Sequence, residues 1–220
     1  MGCLSFLNHL KMKNILIHGL GQNQTTWNKV QEELSKENIV TEIPNLFSIV
    51  KNYEMNYDNL YSNFSNYCNS FNEKLNLCGL SLGGILAIDY AIEFPDKVNS
   101  LILIGTPYEI PKKLLKIQNF IFKFMPKKTF ESMGVSKRNF ISLLNSMTDI
   151  DIKAKAKKVK CPTLVLCGEK DNTNMEGARS LNKNIKGSNL HIIANARHEI
   201  NADNPIELSN NIIGYWKDKR

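Results

Sequence analysis

The sequence predicts an α/β fold, a mostly parallel sheet with helices on both faces. Three observations carry that expectation. From Met12 onward, short apolar runs suited to buried parallel strands alternate with stretches of helical periodicity. Single helices separate successive strands, which is the rhythm of parallel crossover connections. The chain has 220 residues, enough for one such domain and its core, with little room for a second.

Taken in order, Asn14-Ile15-Leu16-Ile17 is the first buried strand and runs into a turn at His18-Gly19. A helix is expected from Thr25 to Glu37, with Thr25 or Thr26 as its N-cap. Asn38 to Phe47 reads as a strand stopped near Pro44, and Tyr57 to Lys74 as a polar, aromatic helix. Leu75 to Gly79 is the next strand. Gly83 to Phe94 follows as a helix with Ile85, Ile88 and Ile92 on one face, ended by Pro95. Val98 to Ile104 and Thr163 to Cys167 are further buried strands. Met175 to Asn184 is helical, Leu190 to Ala194 a strand, and Pro205 to Trp216 the closing helix. Residues 1–11 are read as an edge strand or a loosely held extension.

Tyr108 to Lys160 breaks the rhythm, since a simple crossover needs far fewer residues. Its apolar residues, among them Leu114, Phe120, Phe124, Phe140 and Leu143, fall at helical spacing. The segment is expected to form a helical lid over one end of the sheet, at about 108–160 of a single 1–220 domain. It holds 13 Lys and Arg against four acids, so it supplies all of the chain's net charge of +7. Such a run is ordinarily a solvated face. The alternative is an anionic partner, either an acyl group on a carrier protein or coenzyme A, or an acidic membrane surface.

Composition excludes several classes. No run nears the roughly 18 apolar residues of a spanning helix, so no integral membrane segment is expected. The first residues lack both a myristoylation pattern and a signal-peptide pattern. Five cysteines without a paired spacing argue against a disulfide framework or zinc site, and for a reducing, cytoplasmic compartment. There is no metal-ligand cluster and no glycine-rich phosphate loop, so no cofactor is expected. The basic segment lacks aromatic–basic interleaving, which argues against nucleic acid.

The chemistry lies in Gly79-Leu80-Ser81-Leu82-Gly83, a G-x-S-x-G match placed between an expected strand and an expected helix. A serine held in such a sharp turn needs small neighbours, and its hydroxyl needs a base to remove the proton. Asp171 ends the strand Thr163–Cys167 and its following loop, with Glu169 and Glu109 as rival acids. His198 follows the strand Leu190–Ala194 and is preferred over His9, His18 and His191. The order Ser81, Asp171, His198 is that of a nucleophile–acid–base triad. After the first strand, His18-Gly19-Leu20-Gly21 can aim the Leu20 backbone N–H beside that of Leu82 at a developing oxyanion.

These motifs, with Phe94-Pro95-Asp96-Lys97-Val98, Pro162 through Asp171, and Arg197-His198, resemble the α/β-hydrolase superfamily in its lid-bearing esterase branch. The stretch His18 to Trp27 followed by Gly79 to Gly84 is similar to pimeloyl-carrier-protein methyl esterases and related carboxylesterases. The resemblance spans about Asn14 to Trp216. It implies catalytic Ser81, Asp171 and His198 and a Leu20/Leu82 oxyanion hole, acting on a small-molecule acyl ester or thioester of small to medium chain length. Other reactions of the same triad stay open: acyl transfer, perhydrolysis, carbon–carbon hydrolysis and lysophospholipid cleavage. So does a catalytically idle binder. Two departures stand out. Only 11 residues precede the first core strand, which implies a trimmed sheet edge, and Arg197 stands where relatives carry glycine. That arginine would either alter the loop or place a cation beside the site.

Overall fold

The computed structural model describes residues 12–50, 53–109, 125–131 and 133–219. Its strands β1 (Lys13–Ile17), β2 (Thr41–Glu42), β3 (Leu75–Leu80), β4 (Val98–Ile104), β5 (Thr163–Gly168) and β6 (Asn189–Ile193) form one sheet in the order β2-β1-β3-β4-β5-β6. Every neighbouring pair is parallel. Residues 1–11, read above as an edge strand or extension, lie outside the described residues.

Alternation along the strands produces two apolar layers, because successive side chains leave a strand on opposite faces. Leu16, Cys78, Ile102, Ile104 and Leu166 pack on one side with Val30 and Leu34 of α1 (Asn28–Lys36). Leu208, Ile212 and Trp216 of α10 (Pro205–Asp218) close that layer. Ile15, Ile17, Leu77, Leu101, Leu103 and Val165 face the other way. They meet α2 (Leu46–Ile49), α3 (Tyr57–Asn69), α4 (Leu82–Glu93) and α8 (Met175–Asn184). From β1 the order steps one way to β2 and the other way to β3. In open parallel sheets such a reversal leaves a crevice at the strands' carboxyl ends.

Three sequence expectations need correction. The strand expected over Asn38 to Phe47 shrinks to Thr41–Glu42, because Pro44 brings no N–H and Asn45 starts a helix instead. The Asn45 side chain accepts from the N–H groups of Phe47 and Ser48 at 3.2 and 3.1 Å. The cap expected at Thr25 or Thr26 is Asn23, whose side chain accepts from Thr25 N–H at 2.9 Å at the start of a 3₁₀ turn. The helix expected over Tyr57 to Lys74 stops at Asn69, where the Ser70 N–H closes the last turn on the Asn66 carbonyl.

Within 108–160, the described residues form α5 (Lys127–Glu131), α6 (Lys137–Ser146) and α7 (Ile152–Ala156). Residues 110–124, including Leu114, Phe120 and Phe124, lie outside the described residues. Phe130, Phe140, Leu143 and Ile152 are buried in the same cluster as α3 and α4. The Phe130 and Phe140 rings meet edge to face at 5.2 Å. Lys155 is more than a solvated lysine. Its Nζ lies 2.7 Å from Asp89 of α4, which also accepts from the Tyr57 hydroxyl at 2.6 Å. Among the described residues, no helix is long and apolar enough to cross a membrane.

Phe130 ties α5 to the main core, so truncating it leaves a cavity in the whole fold. Phe130→Ala should lower stability by about 3–5 kcal/mol, read as a shifted urea midpoint in one cooperative transition. A separate early transition would show instead that α5 melts on its own.

Candidate active site

Ser81 joins β3 to α4 and carries a left-handed backbone, φ 53° and ψ −111°. Such a conformation is strained for a residue with a Cβ. Its neighbours explain the glycines around it. A Cβ on Gly79 would lie 2.3 Å from the Gly83 carbonyl oxygen, and one on Gly83 would lie 2.4 Å from the Ile17 oxygen. The elbow therefore brings β3, α4 and the end of β1 closer together than side chains would allow. Ser81 N–H donates to the Ile104 carbonyl at 2.8 Å, which fixes the serine at the carboxyl end of β4 as well.

Asp171 and His198 meet directly. His198 Nδ1 lies 2.9 Å from Asp171 Oδ2. The loops that carry them are bound by Glu169 N–H to Ile193 O and Lys170 N–H to Ala196 O, at 2.9 and 2.8 Å. Asp171 is buried, and burial works to raise its pKa. Hydrogen bonds from His198 and then Asn174 outweigh that and hold the carboxyl below its ordinary value. With Asp171 ionised, Nδ1 carries the ring proton, which leaves Nε2 as the free basic nitrogen.

No hydrogen bond joins Ser81 to His198 among the described residues, but both meet the end of β4, Ser81 at the Ile104 carbonyl and His198 at Gly105. Gly105, directly after Ile104, is their link. It holds φ +51°, and a Cβ there would lie 3.0 Å from His198 Nδ1. The rival acids are occupied elsewhere: Glu169 accepts from Asn195 N–H at 2.9 Å, and Glu109 pairs with Lys153. Arg197 places no free cation beside the histidine, because its guanidinium binds Asp203 at 2.9 and 3.2 Å.

The turn after β1 lies beside the serine, since a Cβ on Gly19 would come within 3.5 Å of Ser81 Cβ. The backbone N–H groups of Leu20 and Leu82 find no backbone acceptor among the described residues. At Leu82 this is the ordinary state of a first helical residue, whose N–H has no intrahelical partner. His18 itself is structural. Its Nε2 accepts from Leu46 N–H at 3.1 Å, so Nδ1 carries the proton and donates to the Gly19 carbonyl at 3.0 Å. Gln22 and Asn201 form a reciprocal pair of amide hydrogen bonds, both 3.3 Å, that joins this turn to α9 (Ile200–Asp203) just after His198.

No family model matches the chain. By sequence it is similar to a proline iminopeptidase of Saccharolobus solfataricus, 29% identical, in a match covering 58% of this chain and 57% of that one. The chain thus spans a little over half the length of that relative. Solved structures match over more of their length. A thermophilic esterase from Thermogutta terrifontis has TM-score 0.76 at 20% identity, covering 95% of this chain and 90% of that one. MenH from S. aureus has TM-score 0.78 at 17% identity, covering 94% of each. The chain has the α/β-hydrolase fold.

Within that hydrolase fold, sequence reasoning placed Ser81, Asp171 and His198 at the ends of β3, β5 and β6 but missed Gly105, Asn174 and the Gln22–Asn201 pair. Gly105 carried one usable signal, a glycine directly after an apolar strand. The amide partners carried none, since this chain is rich in asparagine throughout.

Two outcomes follow. Gly105→Ala forces a Cβ against the imidazole and into a left-handed backbone. It should cost about 1–2 kcal/mol in unfolding free energy and shift the His198 Nδ1 proton resonance. Burial, opposed by the Gly19 hydrogen bond, lowers the His18 pKa from 6.5 to about 4. Below pH 6.5 the unfolded chain then binds a proton that the folded chain refuses until about pH 4. Stability should fall over that window by up to about 1.4 kcal/mol per pH unit. Urea titrations across it should show a steeper loss in wild type than in His18→Gln, whose amide cannot titrate.

Proposed function

We propose that the chain hydrolyses carboxylic esters or thioesters through a covalent acyl-enzyme. The observation that carries this reading is the elbow serine beside a histidine–aspartate pair whose basic nitrogen is free. In this reading the Ser81 hydroxyl attacks the acyl carbonyl while His198 Nε2 takes its proton. Asp171 holds the ring and stabilises the imidazolium that forms. The Leu20 and Leu82 N–H groups receive the oxyanion, and the positive end of α4 adds to that field. His198 returns the proton to the leaving alcohol or thiol, and water then attacks the acyl-serine by the same route. A serine and histidine without a mutual hydrogen bond fit a free enzyme, where such contacts tighten on substrate binding.

The half-buried side chains of Leu20, Tyr108, Met133 and Met175 sit on the segments that carry the site and supply apolar surface for a small to medium acyl group. Lys127, Lys128, Arg138, Lys157, Lys158 and Lys160 are exposed, and this supports an anionic carrier on the leaving group. The buried free thiols of Cys68, Cys78, Cys161 and Cys167 fit a reducing compartment such as the cytoplasm.

Hydrolysis of p-nitrophenyl esters from acetyl to palmitoyl, wild type against Ser81→Ala, tests the proposal. The substitution should reduce kcat by about a thousandfold or more and abolish fluorophosphonate labelling. Folded wild-type protein that neither turns over any ester nor takes the label would make the chain an idle binder.

A further inference from the structure

Asn174 stands at the first residue before α8, where asparagine ordinarily caps its own helix. Asn45, Asn56 and Asn204 do so, each accepting from an N–H of the helix that follows. Asn174 makes no such bond. Its side chain turns to the Asp171–His198 pair instead. The amide nitrogen lies 3.0 and 2.9 Å from the two Asp171 oxygens and 3.1 Å from His198 Nδ1. The orientation is dictated, because a reversed amide would set its oxygen against two carboxylate oxygens. The Asn174 backbone N–H adds a further bond to Asp171 Oδ1 at 3.2 Å.

This crowding has a direction. The amide nitrogen is a donor only, and it faces both oxygens of the Asp171 carboxylate. His198 Nδ1 is itself a donor to Asp171, so the 3.1 Å contact between the two nitrogens sets two positive ends together. That repulsion grows when His198 becomes an imidazolium. The same amide draws on the carboxylate charge that would otherwise stabilise the cation.

We propose that Asn174 is a positioning residue that acts through Asp171, holding its carboxylate in line and offsetting its pull so that His198 remains neutral, and thus basic, to lower pH. The assignment of His198 as the base rests on the function proposed above, but the effect on the imidazole does not. The other groups around the ring leave this role to Asn174. Gly105 faces it from β4 and Ser81 stands at the elbow of α4, both uncharged. Arg197 is neutralised by Asp203, and Glu199 follows in the chain. Beneath Asp171, burial raises the Cys167 thiol to about 11, which keeps it neutral.

The test is the NMR titration of the His198 ring in wild type, Asn174→Ala and Asn174→Asp, with the pH profile of ester kcat/KM measured alongside. Asn174→Ala should raise the His198 midpoint by about half a pH unit or more, and Asn174→Asp, which adds a second carboxylate, by about one unit or more. The acid limb of kcat/KM should move up by the same amounts. A purely structural role would lower activity at all pH values and leave the midpoint in place, which would overturn the proposal. The ring titration decides the matter even in protein without esterase activity. Loss of the midpoint shift with intact esterase activity would sink this inference alone.

Discussion

A serine at φ 53° carries a strain of about 1–2 kcal/mol, and Ser81 keeps that backbone because its surroundings leave no other path. β3 is buried along its whole length, and α4 is apolar on nearly every side. The chain must therefore reverse from strand to helix within one residue. Gly79 and Gly83 permit the reversal, and through them the elbow draws in the end of β1, which brings the Gly19-Leu20 turn alongside. The Ser81 N–H on Ile104 then sets where Gly105 lies, and Gly105 sets how near the His198 ring approaches. Each distance at the site is thus inherited from the strained turn and from the parallel register on either side of it.

Two buried polar groups near that turn settle in opposite charge states for one reason, the number and kind of their partners. His18 is fully buried with one backbone donor and one backbone acceptor, which suits a neutral ring and opposes a cation. Asp171 is also buried but receives the His198 N–H, the Asn174 amide and the Asn174 backbone N–H, which suits an anion. Elsewhere the fold satisfies its interior with amides, which need no charge compensation. Asn14, Asn76, Asn99 and Ser100 link β1, β3 and β4 through side-chain bonds of 2.7–2.9 Å. Gln22 and Asn201 do the same between the turn after β1 and the segment after His198.

Residues 108–160 draw their character from packing as much as from charge. Read as a line of text, the segment is a basic run with helical periodicity. In three dimensions Phe130, Phe140 and Leu143 face α3 and α4, and Lys155 is committed to Asp89 and Tyr57. Part of the excess charge is structural, and among the described residues Lys127, Lys128, Arg138, Lys157, Lys158 and Lys160 remain exposed.

By itself the sequence determined the alternation of strand and helix, the parallel sheet, and the positions of Ser81, Asp171 and His198 after three separate strands. These follow from local physics: apolar runs, glycine spacing and chain order are properties of neighbouring residues. Pro44 and the Asn45 cap cut short the strand expected over Asn38 to Phe47, but tertiary structure alone decided that the Leu46 N–H turns to His18, 28 positions away in the chain. It also decided that Arg197 is spent on Asp203, and that an unremarkable Asn174 faces the carboxylate and imidazole together. Which of many similar asparagines meets a charge depends on contacts between residues far apart in the chain or on the exact turn of a loop. No local pattern encodes those, so only the folded chain could reveal them.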